Sequence, residues 1–162
     1  MSWWHYLFGL GGRISRLRYW QFALLSVVFV LIAAAVAAPY VAIEHPDASD
    51  PSKPLSPLAI ATFAAAGIVV FAFAFATFAV FVKRLHDRNK SAWWLLIFAA
   101  GPPVLARIAD GNLPSDVVLP PWATLTAAVL AMIVNLWGFI EIALLRGTRG
   151  ANRYGPDPLA GR

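Results

Sequence analysis

The chain has 162 residues, of which 60% are hydrophobic and only 13% are charged, and its mean hydropathy is +0.68. Soluble proteins carry about 25% charged residues, so this composition excludes an ordinary soluble domain and indicates a membrane protein. The absence of cysteine excludes disulfides, thiolate metal sites and thiol nucleophiles. We expect no cofactor and no metal. The net charge of +5 in so apolar a chain indicates loops that face anionic lipids, and no nucleic-acid partner is expected.

Four apolar stretches approach the roughly 20 residues that a helix needs to cross a hydrocarbon core. They comprise residues 22–40, 58–82, 91–109 and 122–145. The third is interrupted at Gly101–Pro103, where we predict a kink because neighbouring helices can satisfy the carbonyls that proline frees. The sequence therefore predicts an all-α fold, an integral membrane bundle of four transmembrane helices. A re-entrant third segment is the alternative.

The basic residues alternate with the apolar stretches. Eleven of the 13 lie before the first stretch, between the second and third, or after the fourth. The remaining two connections hold only Lys53 and Arg107, together with five acidic residues. By the positive-inside rule, this pattern predicts a multi-pass protein of a bacterial inner membrane with both termini in the cytoplasm. A re-entrant third segment would instead place the C-terminal tail outside.

The ends of the chain are predicted to lie at or beyond the membrane surface. Residues 1–20 begin with an aromatic segment that includes Trp3, Trp4 and Tyr6, which is unlike the basic start of a cleavable signal peptide. Tryptophan and tyrosine favour the headgroup level, so we expect an interfacial segment there. Residues 146–162 form the cytoplasmic tail of what we interpret as a single membrane domain.

Three polar motifs flank the predicted inner helix ends: GRISRLRYW from Gly12, KRLHDRNKSAWW from Lys83 and GANRYGPDP from Gly150. Because helices are about 10 Å wide, the inner ends of four packed helices meet within about 20 Å. We therefore expect one inner-face polar cluster or ligand site. Its candidate residues are Arg13, Arg16, Trp20, Arg84, His86, Asp87, Arg88, Ser91, Asn152, Tyr154 and Asp157.

In this order the three motifs resemble the bacterial inner-membrane family catalogued as domain of unknown function 805, from about Trp4 to Pro158. The resemblance implies a small integral membrane protein and no established activity. The family usually has glycine where this chain has Asn89 and Ala92, which bears on the turn expected there. The matching residues are Gly12, Arg13, Ser15, Arg16, Tyr19, Trp20, Arg84, Leu85, His86, Asp87, Arg88, Ser91, Trp93, Trp94, Asn152, Tyr154, Gly155, Asp157 and Pro158.

The loop after the second stretch permits two interpretations. His86 beside Asp87 could form a general-base pair, but an aspartate among basic residues more often forms ion pairs that fix a loop. No catalytic residue is assigned. We interpret Ser91 as the N-cap of the third helix. Asp157 is expected to pair with an arginine of the first or second motif as the tail folds back on the bundle.

Two polar residues lie within the fourth stretch. Glu141 is about one turn from the inner end, where it can reach water or pair with a loop arginine. Asn135 is deeper, and we predict that it donates a hydrogen bond to another helix.

Three functions remain open. We favour a non-enzymatic module whose basic cytoplasmic face binds anionic lipid headgroups or a protein partner, which could be a second copy of the chain. A small transporter or channel component is the first alternative. An enzyme that acts on a lipid headgroup through His86 and Asp87 is the second.

Overall fold

The computed structural model describes residues 2–44, 56–111 and 118–160, without the side chains of 38–44. These residues form helices and no strand, apart from one isolated bridge between Asn152 and Gly155. The helices are α1 (Trp3–Phe8), α2 (Arg16–Glu44), α3 (Pro57–Asp87), the π-helix π1 (Leu96–Ala100), α4 (Gly101–Ala109), α5 (Pro121–Phe139) and the π-helix π2 (Ile140–Leu144). The predicted all-α class is confirmed.

Three helices are long and apolar enough to cross a membrane: Arg16–Ala37, Pro57–Asp87 and Pro121–Leu144. They correspond to the first, second and fourth predicted stretches. At 1.5 Å per residue, the shortest of them is about 33 Å long, enough for a hydrocarbon core of about 30 Å.

The third stretch forms a shorter helix than predicted. Its apolar helical segment comprises Leu96–Ala109, which is about 21 Å long at 1.5 Å per residue. The π1 turn runs directly into α4, whose first positions hold Pro102 and Pro103. Prolines and π-turns both bend helices, but the bend itself stays a prediction.

The predicted N-cap role of Ser91 is wrong. The residue that precedes π1 is Leu95, and no side chain caps it. The Ser91 carbonyl, not its hydroxyl, accepts a hydrogen bond from the Trp94 N–H at 3.2 Å. The residues after Ser91 form a turn first, so the helix begins too late for the hydroxyl to reach its first amides.

The chain divides into two compact units, and the first division falls within α2. One unit comprises Trp20–Phe78, where the Phe29 and Phe73 rings stack with centroids 4.7 Å apart. Its other apolar side chains are largely exposed, including Leu24 at 68% and Phe71 at 72%. Soluble monomers rarely expose so continuous an apolar surface, which suits a lipid environment.

The other unit comprises Met1–Tyr19 and Ala79–Arg162. Its core contains Val82, Leu85, Leu95, Phe98 and Ile142. Leucine and isoleucine from the ends of α3 and π2 therefore pack against residues at the start of π1. This packing fixes the ends of the helices that carry the polar motifs.

Helix α1 is attached to this unit by a buried lysine. Lys83 is 0% exposed and donates to the carbonyls of His5 and Tyr6 at 2.8 and 2.6 Å. These carbonyls belong to the last turn of α1, where the His5 carbonyl also accepts from the N–H of the C-cap residue Gly9 at 3.1 Å. The Tyr6 hydroxyl donates to the Arg18 carbonyl at 2.8 Å, and burial raises the pKa of this phenol, so it stays a donor. Trp3 and Trp4 remain 75% exposed.

Candidate functional site

The end of α3 carries a buried aspartate between two arginines. One Asp87 oxygen accepts from Arg13 Nε at 3.0 Å, and the other accepts from Arg84 Nη1 at 2.5 Å. The side chains of Arg13, Arg84 and Asp87 are 1%, 0% and 3% exposed. Two cations share one buried anion, so the remaining guanidinium donors need other acceptors.

Arg13 finds those acceptors in the C-terminal tail. Its Nη2 donates to the Thr148 carbonyl at 2.6 Å, and its Nη1 donates to the carbonyls of Gly150 and Gly155 at 2.7 and 3.3 Å. Planar guanidinium presents its donors in a fixed fork, so one arginine can hold several turns of an irregular segment. Arg13 thereby ties the first motif to the third.

The tail approaches Asp87 so closely that only glycine fits at one position. A Cβ atom added to Gly147 would collide with the Asp87 carboxylate. The next residue, Thr148, donates from both its N–H and its hydroxyl to the Asp87 carbonyl, at 2.8 and 3.1 Å. Asp87 therefore binds the tail through its backbone and the two arginines through its side chain.

Arginines also cap the end of the last helix. The carbonyls at a helix C-terminus have no partners within the helix. Here Ile142 and Leu145 accept from Arg84, Leu144 accepts from Arg16 at 2.9 Å, and Arg146 accepts from Arg88 at 2.5 Å. We call the charged side chains of the first two motifs that bind one another or this helix end the arginine cluster. It comprises four arginines and one aspartate: Arg13, Arg16, Arg84, Asp87 and Arg88.

His86 contacts the tail, not Asp87. Its ring stacks on Tyr154 with centroids 3.8 Å apart and an interplanar angle of 6°, and its Nδ1 lies 3.3 Å from the Gly12 carbonyl oxygen. The Arg153 guanidinium lies over the Tyr154 ring at 4.7 Å. Asn152 donates to the His86 carbonyl at 2.9 Å. His86 and Asp87 are thus adjacent in sequence but bind different partners.

Asp157 does not pair with an arginine as predicted. Its two oxygens accept from the backbone N–H groups of Leu159 and Gly150, each at 2.9 Å, and none of the described arginines forms an ion pair with it. These two hydrogen bonds lower the pKa of the Asp157 carboxyl. Local turn closure satisfies the carboxylate within its own segment, as aspartate commonly does in turns.

The two polar residues of the fourth stretch differ. Glu141, 8% exposed at its side chain, pairs with Arg88 at 3.1 Å and with Lys90 at 3.8 Å. Asn135 donates to the Ala131 carbonyl one turn back, at 3.1 Å, so the predicted bond to another helix is wrong. The amide is therefore satisfied on its own helix.

The turn after α3 forms without glycine. Asn89 adopts a φ of 57°, the left-handed conformation that asparagine tolerates better than most residues. Asn89 and Lys90 donate to the carbonyls of His86 and Leu85 at 3.0 and 2.9 Å, which is a Schellman C-cap. Asparagine therefore forms this turn without the glycine that the resemblance leads us to expect.

A cavity of about 240 Å³ lies beside the arginine cluster. Arg16 and Arg146 line it, together with Ser15, Asp157, Pro158 and Leu159. Ser91 and Trp20 do not line it, and Trp20 belongs to the other unit with 43% of its surface exposed. Within the described part of the chain, no three His, Asp or Glu side chains meet as a metal site would require.

The family described as "Protein of unknown function (DUF805)" matches residues 7–156. The chain belongs to this family. It is therefore a membrane protein of a family without an established function.

Two proteins of Escherichia coli (strain K12) are similar along almost the whole chain. "Uncharacterized protein YiiR" is 27% identical over 153 residues, covering 94% of this chain and 87% of its own length. "Inner membrane protein YhaH" is 26% identical over 153 residues, covering 93% and 87%. No solved structure matches this chain.

Sequence reasoning missed three members of the site. Lys83 was counted only as a basic residue, Gly147 lies outside the quoted motifs, and Thr148 has no distinctive pattern. Gly147 follows directly after Arg146, the first basic residue beyond the fourth stretch, and a glycine there is a signal for close backbone approach. No sequence signal distinguishes Lys83 from the other basic residues of its motif.

Proposed function

We propose that this protein crosses the inner membrane four times, with both termini in the cytoplasm. Contacts among helix ends support the proposal. Arg13 precedes α2, Asp87 ends α3, and Thr148 follows π2, yet all three are hydrogen-bonded to one another. If α2, α3 and α5 each cross, their bound ends lie on one side of the membrane.

This arrangement also bears on the short third helix. The chain leaves the arginine cluster at Asp87 and returns to it at Thr148, so it crosses an even number of times in between. Helix α5 with π2 supplies one crossing, and the segment that contains Leu96–Ala109 must supply the other. A re-entrant segment would separate the tail from Asp87. Because this helix is shorter than the hydrocarbon core is thick, its crossing requires local thinning of the bilayer or flanking polar side chains that extend to the headgroups.

We further propose a non-enzymatic module whose cytoplasmic face binds anionic lipid headgroups. The observation that supports this proposal is that the basic residues at this end form two groups, one buried and one exposed to solvent. Arg13, Lys83 and Arg84 are buried and bind protein carbonyls or Asp87. The exposed arginines at the same end are Arg16, Arg18, Arg146, Arg149 and Arg153.

Among the described residues, this exposed group lies at the surface that lipid headgroups can reach. Each exposed arginine near an anionic leaflet contributes about 1 kcal/mol of attraction. Trp3, Trp4 and Trp93 are each 75% exposed in the same unit, and tryptophan is favoured at the headgroup level. Charge and aromatic side chains therefore support one lipid-facing surface, whose composition suits anionic headgroups.

Tryptophan quenching by brominated phospholipids tests this function directly, since the chain has seven tryptophans. The protein is reconstituted with brominated phosphatidylglycerol or phosphatidylcholine at low, physiological and high salt. We expect preferential association of the anionic lipid that weakens as salt rises, because exposed charges are screened within about 8 Å at physiological ionic strength. Arg149→Ala should produce a small loss.

Two variants serve as comparisons. Arg107→Ala removes an exposed arginine at the end of α4, which the proposed topology places on the other face, and it should leave the salt-dependent preference of the inner face unchanged. His86→Ala alters a side chain that stacks on Tyr154 and should also change little. A salt-independent loss confined to His86→Ala would contradict an electrostatic surface and favour a specific receptor or enzyme.

A further inference from the structure

The cavity beside the arginine cluster is placed where three apolar helices end. Arg16 is the first residue of α2, Asp87 is the last of α3, and Arg146 follows π2 by two residues. All three residues line the cavity. In a membrane, such a position is the boundary between hydrocarbon and headgroups. A ligand here can have one polar and one apolar end.

The charges around the cavity favour an anion. Asp87 is already neutralised by Arg13 and Arg84, and Asp157 is occupied by two backbone N–H groups. Arg16 and Arg146 add two further positive charges to the wall. With four arginines and two aspartates, the surroundings are more positive than negative by two charges.

The two arginines of the wall have donors to offer. Arg16 uses Nη1 for the Leu144 carbonyl, and a guanidinium has five N–H donors. The Arg146 guanidinium donates no hydrogen bond to any of the described residues, although its backbone carbonyl is bound by Arg88. Guanidinium groups match the oxygens of phosphate in geometry as well as in charge.

The rest of the wall is largely apolar. Leu17, Pro158 and Leu159 line the cavity, and Leu17 is 60% exposed at the start of α2. A site for free phosphate would surround the anion with polar groups, because apolar walls cannot replace its hydration. An apolar wall next to two guanidiniums fits a phosphate that is attached to glycerol and acyl chains. A volume of about 240 Å³ holds roughly eight water molecules, enough for such a headgroup phosphate with its glycerol.

We infer that this cavity is a binding site for the phosphate of one anionic phospholipid, held between Arg16 and Arg146. The inference rests on the proposed lipid-binding function and adds a discrete site to it. A discrete site binds one lipid per chain and saturates, whereas a charged surface binds many lipids weakly.

The test is a calorimetric titration of the full chain in non-ionic detergent. The titrants are short-chain phosphatidylglycerol, short-chain phosphatidylcholine and inorganic phosphate. We expect saturable binding of phosphatidylglycerol with one site per chain. Arg146→Gln should weaken it about tenfold or more, as expected for a lost hydrogen bond between charged groups. Arg149→Gln removes another exposed arginine of the tail, outside the cavity, and should weaken it less than twofold.

A second variant acts on the apolar wall. Leu159→Glu places a carboxylate near the ligand at the end of the tail, and it should abolish saturable binding even if Arg146→Gln proves unstable. Thermal unfolding of each variant in detergent establishes that it remains folded before it is titrated.

The outcomes separate the two proposals. Preference for phosphatidylglycerol with equal losses in Arg146→Gln and Arg149→Gln would overturn the discrete site and leave the charged surface intact. No preference for phosphatidylglycerol over phosphatidylcholine at low salt would overturn both. Competition by inorganic phosphate at concentrations equal to the lipid would overturn the lipid as the ligand.

Discussion

Arg13 and Asp87 are 74 residues apart in the sequence and form a buried ion pair with 3.0 Å between guanidinium and carboxylate. One residue precedes the first long helix, and the other ends the second. The pair therefore brings the start of α2 next to the end of α3. Because Arg13 also binds the carbonyls of Thr148 and Gly150, the same contact includes the tail.

Removal of the Asp87 carboxylate should strongly destabilise the fold. Asp87→Ala leaves the guanidiniums of Arg13 and Arg84 buried without an anion, and loss of one partner of a buried pair costs about 3–5 kcal/mol. Thermal unfolding in detergent measures the change. Asp110→Ala, at an exposed aspartate after α4, is the control and should cost under about 1 kcal/mol. Equal shifts in the two variants would show that Asp87 is merely solvated.

Gly147→Ala tests the close approach of the tail. The new methyl group would collide with the Asp87 carboxylate, and overpacking of this kind costs about 1–3 kcal/mol. Gly11→Ala is the matched control because a Cβ there meets no atom within 4 Å. Urea or thermal unfolding should show a clearly lower stability for Gly147→Ala than for Gly11→Ala. The tail of Gly147→Ala should also be cleaved faster by protease. Indistinguishable variants would mean that the tail does not pack on Asp87.

Lys83→Met should release helix α1 while the rest of the fold persists. Methionine has a similar length but cannot donate to the carbonyls of His5 and Tyr6. Hydrogen exchange at the amides of residues 3–9 should accelerate, with little change in the core around Leu85. Lys90→Met removes a lysine that pairs with Glu141 and should leave α1 protected. Protection of α1 that survives Lys83→Met would show that the aromatic contacts alone hold it.

Acid should loosen the turn around Asp157. Its pKa in the folded tail lies below the usual value, because the ionised carboxylate accepts from the N–H groups of Leu159 and Gly150. The folded tail therefore binds fewer protons than the unfolded one, and its stability is present above the ordinary carboxyl pKa near 3.8 and is lost as pH falls through the lowered pKa. Amide chemical shifts of Gly150 and Leu159 should report this transition. Asp157→Asn should lack it, and a transition unchanged in that variant would assign it to another group.

The absence of cysteine permits a clean test of topology. Single cysteines at Ala151 and Val118 are labelled with a membrane-impermeant maleimide in intact spheroplasts and after lysis. Ala151 is exposed in the tail and Val118 is 92% exposed before α5. We expect Val118→Cys to react in intact spheroplasts and Ala151→Cys only after lysis, because the tail lies with Arg13 and Asp87 on the predicted cytoplasmic side. Reaction of both in intact spheroplasts would place the tail outside.

Much of the fold follows from the hydropathy pattern. The first, second and fourth apolar stretches correspond to α2, α3 and α5 with π2, although α2 and α3 extend a few residues further. The third stretch is less well predicted, because residues 91–93 look apolar enough for a helix but form a turn, and the helix begins only at Trp94. Hydropathy measures the preference for lipid, and the backbone conformation at the end of a stretch is decided by local hydrogen bonds.

The candidate site was accessible to sequence reasoning only in outline. Motifs at one predicted depth include residues that the structure brings together, such as Arg13, Arg84 and Asp87. The partners of individual groups were not predictable, since a carboxylate such as Asp157 can bind either an arginine or the backbone N–H groups of its own turn. Asn89 shows the same limit: its left-handed conformation is required by the Schellman turn, but the sequence has no glycine to mark it.

The caps on the last helix impose two separate requirements on the same side chains. Membrane orientation depends only on positive charge, which lysine would supply as well as arginine. Arg84 donates to two carbonyls of the helix end and to Asp87 at once, through donors fixed in one plane. A lysine has a single ammonium centre and cannot reach acceptors in that spread. The geometry of the helix end thus requires arginine in particular, whereas the membrane potential and the lipids require only a positive charge.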